Sequence, residues 1–230
     1  MYKIFVLLFL CAGLALAAPV APITATEGSS FAVDFDGFTG ADHSVVEGLT
    51  SSLVFSGFNF SNYSNVATRV NFQIEVLNTS TSPITASRVS GLGFFTTPDI
   101  VRSAPNSVTG VFDQVTITGN MPNGIGQVEF CFSDVNCSGG GRSGVRMGQS
   151  GMVYAEIYLR GLGHTSFSFD DMYVRYQSIS GRGAPSSASG SPVPEPGAYA
   201  LLLVGLVTVA FRIRAIRRMK ILSTGAGLTC

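Results

Sequence analysis

Lysine is missing from the interior of this 230-residue chain; Lys3 and Lys220 are the only two. Charge of either sign is scarce, at 12% of residues. Residues 18–196 carry 14 acids against 8 arginines, a net of −6, whereas residues 212–220 carry +5. The formal balance of zero therefore hides two opposed regions. Without a basic stripe, the central region is not a nucleic-acid binder. Its acidity reads as solubility outside the cell. Histidine is also short. His43 lies in Gly40-Ala-Asp-His-Ser and His164 in Gly161-Leu-Gly-His-Thr, both turn-like settings. Possession of Ser, His and Asp does not make a nucleophilic site without convergence, and no Gly-x-Ser-x-Gly elbow occurs. Ser138-Gly-Gly-Gly-Arg-Ser-Gly144 lacks the Lys and the following helix that a phosphate-binding loop needs. It reads as a flexible hairpin, and no catalysis is assigned.

What is present begins at the two ends. Met1 to Ala17 has a cationic start at Lys3, an apolar stretch Ile4–Leu16 and the small-x-small pattern Ala15-Leu-Ala17. This predicts a signal helix over residues 1–17 with cleavage after Ala17; the alternative is a permanent N-terminal anchor. Near the other end, Gly197–Phe211 is an apolar run of 15 residues, about 22 Å as a helix against a bilayer core of about 30 Å. A Gly/Ser/Pro stretch, 181–192, isolates it, and Arg212, Arg214, Arg217, Arg218 and Lys220 follow it. Snorkelling arginines can stop such a transmembrane helix and place the preceding chain outside the cytoplasm.

Val193-Pro194-Glu195-Pro196, the short apolar helix and the arginine cluster together resemble the PEP-CTERM sorting segment of exported bacterial proteins, here residues 193–218. The resemblance implies recognition by an exosortase, cleavage near Pro196 and delivery to the cell surface or matrix. In that family the chain usually stops at the arginines; here Met219–Cys230 continues as a tail, 219–230.

Residues 24–180 read as one domain, and their dominant period is two. Val70, Phe72, Ile74 and Val76 alternate with Asn71, Gln73 and Glu75. Val153, Ala155, Ile157 and Leu159 alternate with Tyr154, Glu156, Tyr158 and Arg160. Alternation of this kind marks half-buried antiparallel strands. Further strands are expected at Phe31–Phe38, Leu49–Phe60, Ser87–Phe95, Val108–Thr118, Gly126–Phe132 and Ser166–Gln177, with no amphipathic helix. About eight strands with Gly/Pro/Asn turns predict an all-β, antiparallel β-sandwich, jelly-roll-like. In the last strand Phe167 and Phe169 share one parity, while Met172, Val174 and Tyr176 share the other. A bulge at Asp170-Asp171 would account for the slip.

Three groups of residues carry candidate chemistry. Cys131 and Cys137 enclose five residues and read as a disulfide in an oxidising compartment, with a metal site as the alternative. Asp34 and Asp36 would approach Asp170 and Asp171 if first and last strands pair, giving a possible calcium site; the alternative is solvated turn carboxylates. Tyr154 and Tyr158 share one strand face and could stack on sugar rings of a polysaccharide, or simply pack in a second sandwich face. Four blocks taken in order resemble the "cistern" group of PEP-CTERM proteins: Ile84–Phe94, Met121–Phe132, Cys137–Gly141 and Asp170–Ile179. That resemblance implies paired cysteines and a sorting tail, and no activity.

Overall fold

The computed structural model describes residues 22–193 and the isolated position Leu206. The expected signal helix, Pro194, Glu195, Pro196, the arginine cluster and the tail lie outside the described residues. Among the described residues no helix is long and apolar enough to cross a membrane.

The described chain is all-β: twelve strands in one antiparallel sheet. They are β1 (Ile23–Thr26), β2 (Phe31–Thr39), β3 (Ser44–Ser64), β4 (Ala67–Leu77), β5 (Ile84–Thr97), β6 (Ser107–Gly110), β7 (Gln114–Met121), β8 (Gly126–Ser133), β9 (Val145–Arg146), β10 (Ser150–Arg160), β11 (Ser166–Gly181) and β12 (Ser187–Pro192). The hydrogen-bonded path runs β6-β10-β4-β3-β2-β12-β11-β5-β8-β7, with β1 added to β11 and β9 to β5.

This sheet is not flat. β4 and β11 are four places apart in the path, about 19 Å at the usual strand spacing. Yet the rings of Phe72 on β4 and Phe169 on β11 are 5.7 Å apart. The sheet therefore curls until the β4–β3 half faces the β11–β5 half. Its path ends, β6 and β7, are joined by Val111–Asp113 alone, with Phe112 fully buried at the crossing. The inward parity of β4 and β10 fills the space between the halves with Val70, Phe72, Ile74, Val76, Val153, Ile157 and Leu159. Phe169 is the hub of the core. Its ring lies 4.6–6.2 Å from those of Phe31, Phe55, Phe58, Phe72, Phe94 and Phe167. Each buried phenylalanine contributes about 1.5–3 kcal/mol by leaving water.

The bulge expected at Asp170-Asp171 is present. The β11–β5 register shifts between Asp170 and Tyr173, and Asp171 takes a φ of 42°. β1 pairs with β11 before the bulge and β12 pairs with it after.

Two sequence expectations are corrected. Val108–Thr118 is not one strand: β6 pairs with β10 and β7 with β8, on different halves of the sheet. The stretch 181–192 is not simply a linker, because Ser187–Pro192 forms β12 between β11 and β2. β12 carries little apolar signal because its slot has no room. A Cβ at Gly190 would run into Val174 and Tyr176, and Ala188, Ser189 and Gly190 are buried. Backbone pairing, not side-chain burial, draws this strand into the sheet.

Candidate functional site

The outward faces of β3, β4, β10 and β6 form a polar ladder. Register places Thr109, Tyr154, Gln73 and Ser56 in one row across the four strands. Ser107, Glu156, Asn71 and Asn59 form the next row. A bulge separates the rows on β3, where Gly57 has a φ of 68° and Phe58 turns into the core. Over these rows lies an open groove of about 420 Å3, lined by Gly57, Asn71, Gln73, Ser107, Thr109, Tyr154 and Glu156 among others. Tyr154 is 53% exposed and presents its ring to the groove. Gln73 Nε2 donates to Ser56 Oγ at 3.2 Å, which fixes the amide beside it. An aromatic face bordered by amides and hydroxyls can stack on a sugar ring and bond its hydroxyls.

Tyr158 is not part of that surface, which corrects the expectation of a two-tyrosine platform. It is only 2% exposed. The Tyr63 ring meets it edge-on at 4.4 Å, its N–H donates to Asn106 Oδ1 at 3.0 Å, and its hydroxyl donates to Glu156 Oε1. Burial, reinforced by that bond to Glu156, pushes its phenol up to about 12. Glu156 also lies 3.9 Å from Arg69 Nη1. Tyr158 thus orients Glu156 at the groove edge. Sequence parity identified Tyr154 and Glu156; it missed the supporting Asn71, Gln73, Ser107 and Thr109. The outward parity of β4 held the first two, but the pairing of β4 and β6 with β10 is nowhere encoded locally.

The four aspartates are not gathered. β2 pairs with β3 and β12, so β12 stands between Asp34 or Asp36 and the β11 residues Asp170 and Asp171. Asp34, Asp36 and Asp171 are exposed, and Asp170 Oδ2 accepts from Thr97 Oγ1 at 2.7 Å. Among the described residues no three His, Cys, Asp or Glu side chains are grouped to hold a metal. The pairing on which the calcium reading rested is replaced by an inserted strand. His43 stacks on Phe38 at 4.1 Å, and His164 Nε2 lies 2.9 Å from Arg160 O. Each histidine is thus occupied locally.

Cys131 and Cys137 are bridged, with Cα atoms 5.8 Å apart, within the range a disulfide requires. The bridge packs on the bare backbone of Gly119 in β7, where any Cβ would strike Cys137 Sγ. It joins Met121 and Val128 in a small buried cluster separate from the phenylalanine core. Comparison with protein-family models, with curated proteins and with solved structures found no match for this chain.

Proposed function

We propose that this is an exported surface or extracellular-matrix protein of structural or interaction type, with no catalysis assigned. Its sorting segment, Val193-Pro194-Glu195-Pro196 with the apolar run and arginines, is of PEP-CTERM type. An exosortase is its processing partner, and a membrane-anchored precursor is its intermediate. The curled all-β body is read further as a jelly-roll-like β-sandwich. The observation that carries the reading is the Cys131–Cys137 bridge, since disulfides persist in oxidising compartments outside the cytosol. Mass spectrometry of the mature protein tests it. Material recovered from the cell surface is expected to begin after residue 17 and to end near Pro196. Surface material that retains residue 230 would overturn the processing step.

A second reading rests on the groove beside Tyr154: a polysaccharide-binding module whose platform is one tyrosine flanked by Gln73 and Thr109. Retention on immobilised matrix polysaccharide is expected to fall at least tenfold in Tyr154→Ala. Equal retention of the variant would remove this reading and leave the first untouched.

A further inference from the structure

A second cavity lies elsewhere, at the junction of β5, β9, β11 and the glycine-rich loop after the disulfide. It has a volume of about 480 Å3 and is lined by Arg88, Arg142 and Arg146 together with Thr85, Ser87 and Ser178. Three of the eight arginines of residues 18–196 meet in this one place. Their arrangement is built. Arg88 on β5 and Arg146 on β9 are register partners. Like charges directly opposite on paired strands destabilise a sheet, so this pairing carries a cost that the free protein only partly relieves.

The relief goes to Arg88 alone. Its guanidinium is buried and donates to the carbonyl oxygens of Ser143 and Gly141 and to Gln177 Oε1, with Asp134 Oδ2 at 3.8 Å. Asp134 also accepts from the Ser143 N–H at 2.7 Å. Gly141 is needed where it stands: its φ is 66°, and a Cβ there would strike the Asp134 carboxylate. Arg88 and Asp134 therefore shape the loop that carries Arg142. Arg142 and Arg146 are exposed and make no ion pair or side-chain hydrogen bond among the described residues. Burial lowers the Arg88 pKa, Asp134 opposes this and Arg146 adds to it, which places all three charges in one field.

We infer that this cavity binds a single compact oxyanion, a carboxylate, sulfate or phosphate monoester, with Arg142 and Arg146 as its ligands and Arg88 as the fixed charge behind them. Guanidinium forks match planar or tetrahedral oxyanions through paired N–H donors. The negative balance of the rest of the domain disfavours a long uniform polyanion. A small acidic ligand, or one acidic group on a larger neutral one, meets only the arginines. The inference stands whether or not the export reading holds.

The test uses the full chain in a non-ionic detergent, at constant ionic strength set with chloride. Thermal midpoints are measured with sulfate, inorganic phosphate, galacturonate and galactose, for the wild type and for Arg142→Gln/Arg146→Gln. Both changed residues are exposed, so the double variant retains the fold, and removal of the Arg88–Arg146 clash leaves its ligand-free midpoint equal or higher. A ligand that binds only the folded state raises the midpoint by mass action. Acidic ligands are expected to raise the wild-type midpoint, galactose is not, and the half-maximal concentration should increase at least tenfold in the double variant. A stronger response to galacturonate identifies a sugar acid as the source; a stronger response to sulfate or phosphate identifies an inorganic anion or ester. No wild-type response beyond that to chloride, or an equal response in the variant, overturns the site.

Discussion

The two halves of β11 hold the molecule together by opposite means. Before the bulge, Phe167 and Phe169 enter the curled core and touch other phenylalanines. After it, the inward positions are Met172, Val174 and Tyr176, and the outward Arg175 and Gln177 become polar clamps. Arg175 donates from Nη1 to Ala188 O at 2.6 Å and from Nε to Ser138 O at 3.3 Å, tying β12 and the disulfide loop to one strand. Tyr176 is buried, yet its hydroxyl shares a 2.7 Å hydrogen bond with Ser51 on β3. The reversal of parity at Asp170-Asp171 thus lets one strand join a cluster of phenylalanines on one side of the bulge to a network of carbonyls and guanidiniums on the other. The first half depends on excluded water and tolerates small shifts in direction. The second adds directed bonds to its buried apolar positions, and a buried partner left unpaired costs more than the bond contributes.

Substitutions on each side of the bulge separate the two mechanisms. Phe169→Ala has the largest expected effect, a loss of about 3–5 kcal/mol, because six surrounding rings cannot all collapse into the space. Equilibrium urea unfolding measures it, and a loss below about 1 kcal/mol would show that the core near the hub repacks. Arg175→Met retains the aliphatic stem and removes the donors to Ala188 and Ser138. The expected loss is about 1–3 kcal/mol, with faster amide exchange along β12 and little change around Phe72. Exchange that rises equally in both halves would erase the contrast. Tyr176→Phe is the mildest, about 1 kcal/mol at neutral pH through the bond to Ser51. It also changes the alkaline behaviour. Burial raises the Tyr176 pKa, so above about pH 10 the unfolded chain releases a proton that the folded state retains. Wild-type stability therefore falls as pH rises through the unfolded value, and the variant should fall less steeply. Identical slopes would mean that Tyr176 ionises in place.

Strand periodicity made the all-β class and most of the sheet readable from residues alone. Val70–Val76 and Val153–Leu159 alternate cleanly because each strand has one dry face. The parity slip at Asp170-Asp171 was equally legible, since a bulge must shift the side-chain phase. β12 was not, because burial of Ser189 and Gly190 leaves no hydrophobic pattern. Its insertion also moved Asp34 and Asp36 away from Asp170 and Asp171. Tyr158 looked outward by parity and is outward, but Tyr63 from the β3 end covers it. The arginine cavity was hidden for the same reason. Arg88 and Arg146 are 58 positions apart in the sequence and become neighbours only through a two-residue strand.

The last bond of β12 sets a tether length. Val193 N–H donates to Asp34 O at 2.8 Å, and the next residue, Pro194, has no N–H to extend the ladder. Only Pro194, Glu195 and Pro196 separate that stitch from Gly197, where the apolar run starts; four Cα steps reach at most about 14 Å. If the run enters lipid as proposed, the folded body is held within about that distance of the headgroups. If Pro-Glu-Pro is cut there as proposed, the site begins one residue beyond that stitch, and opening the Val193–Asp34 bond would lengthen the reach of the segment to be cut.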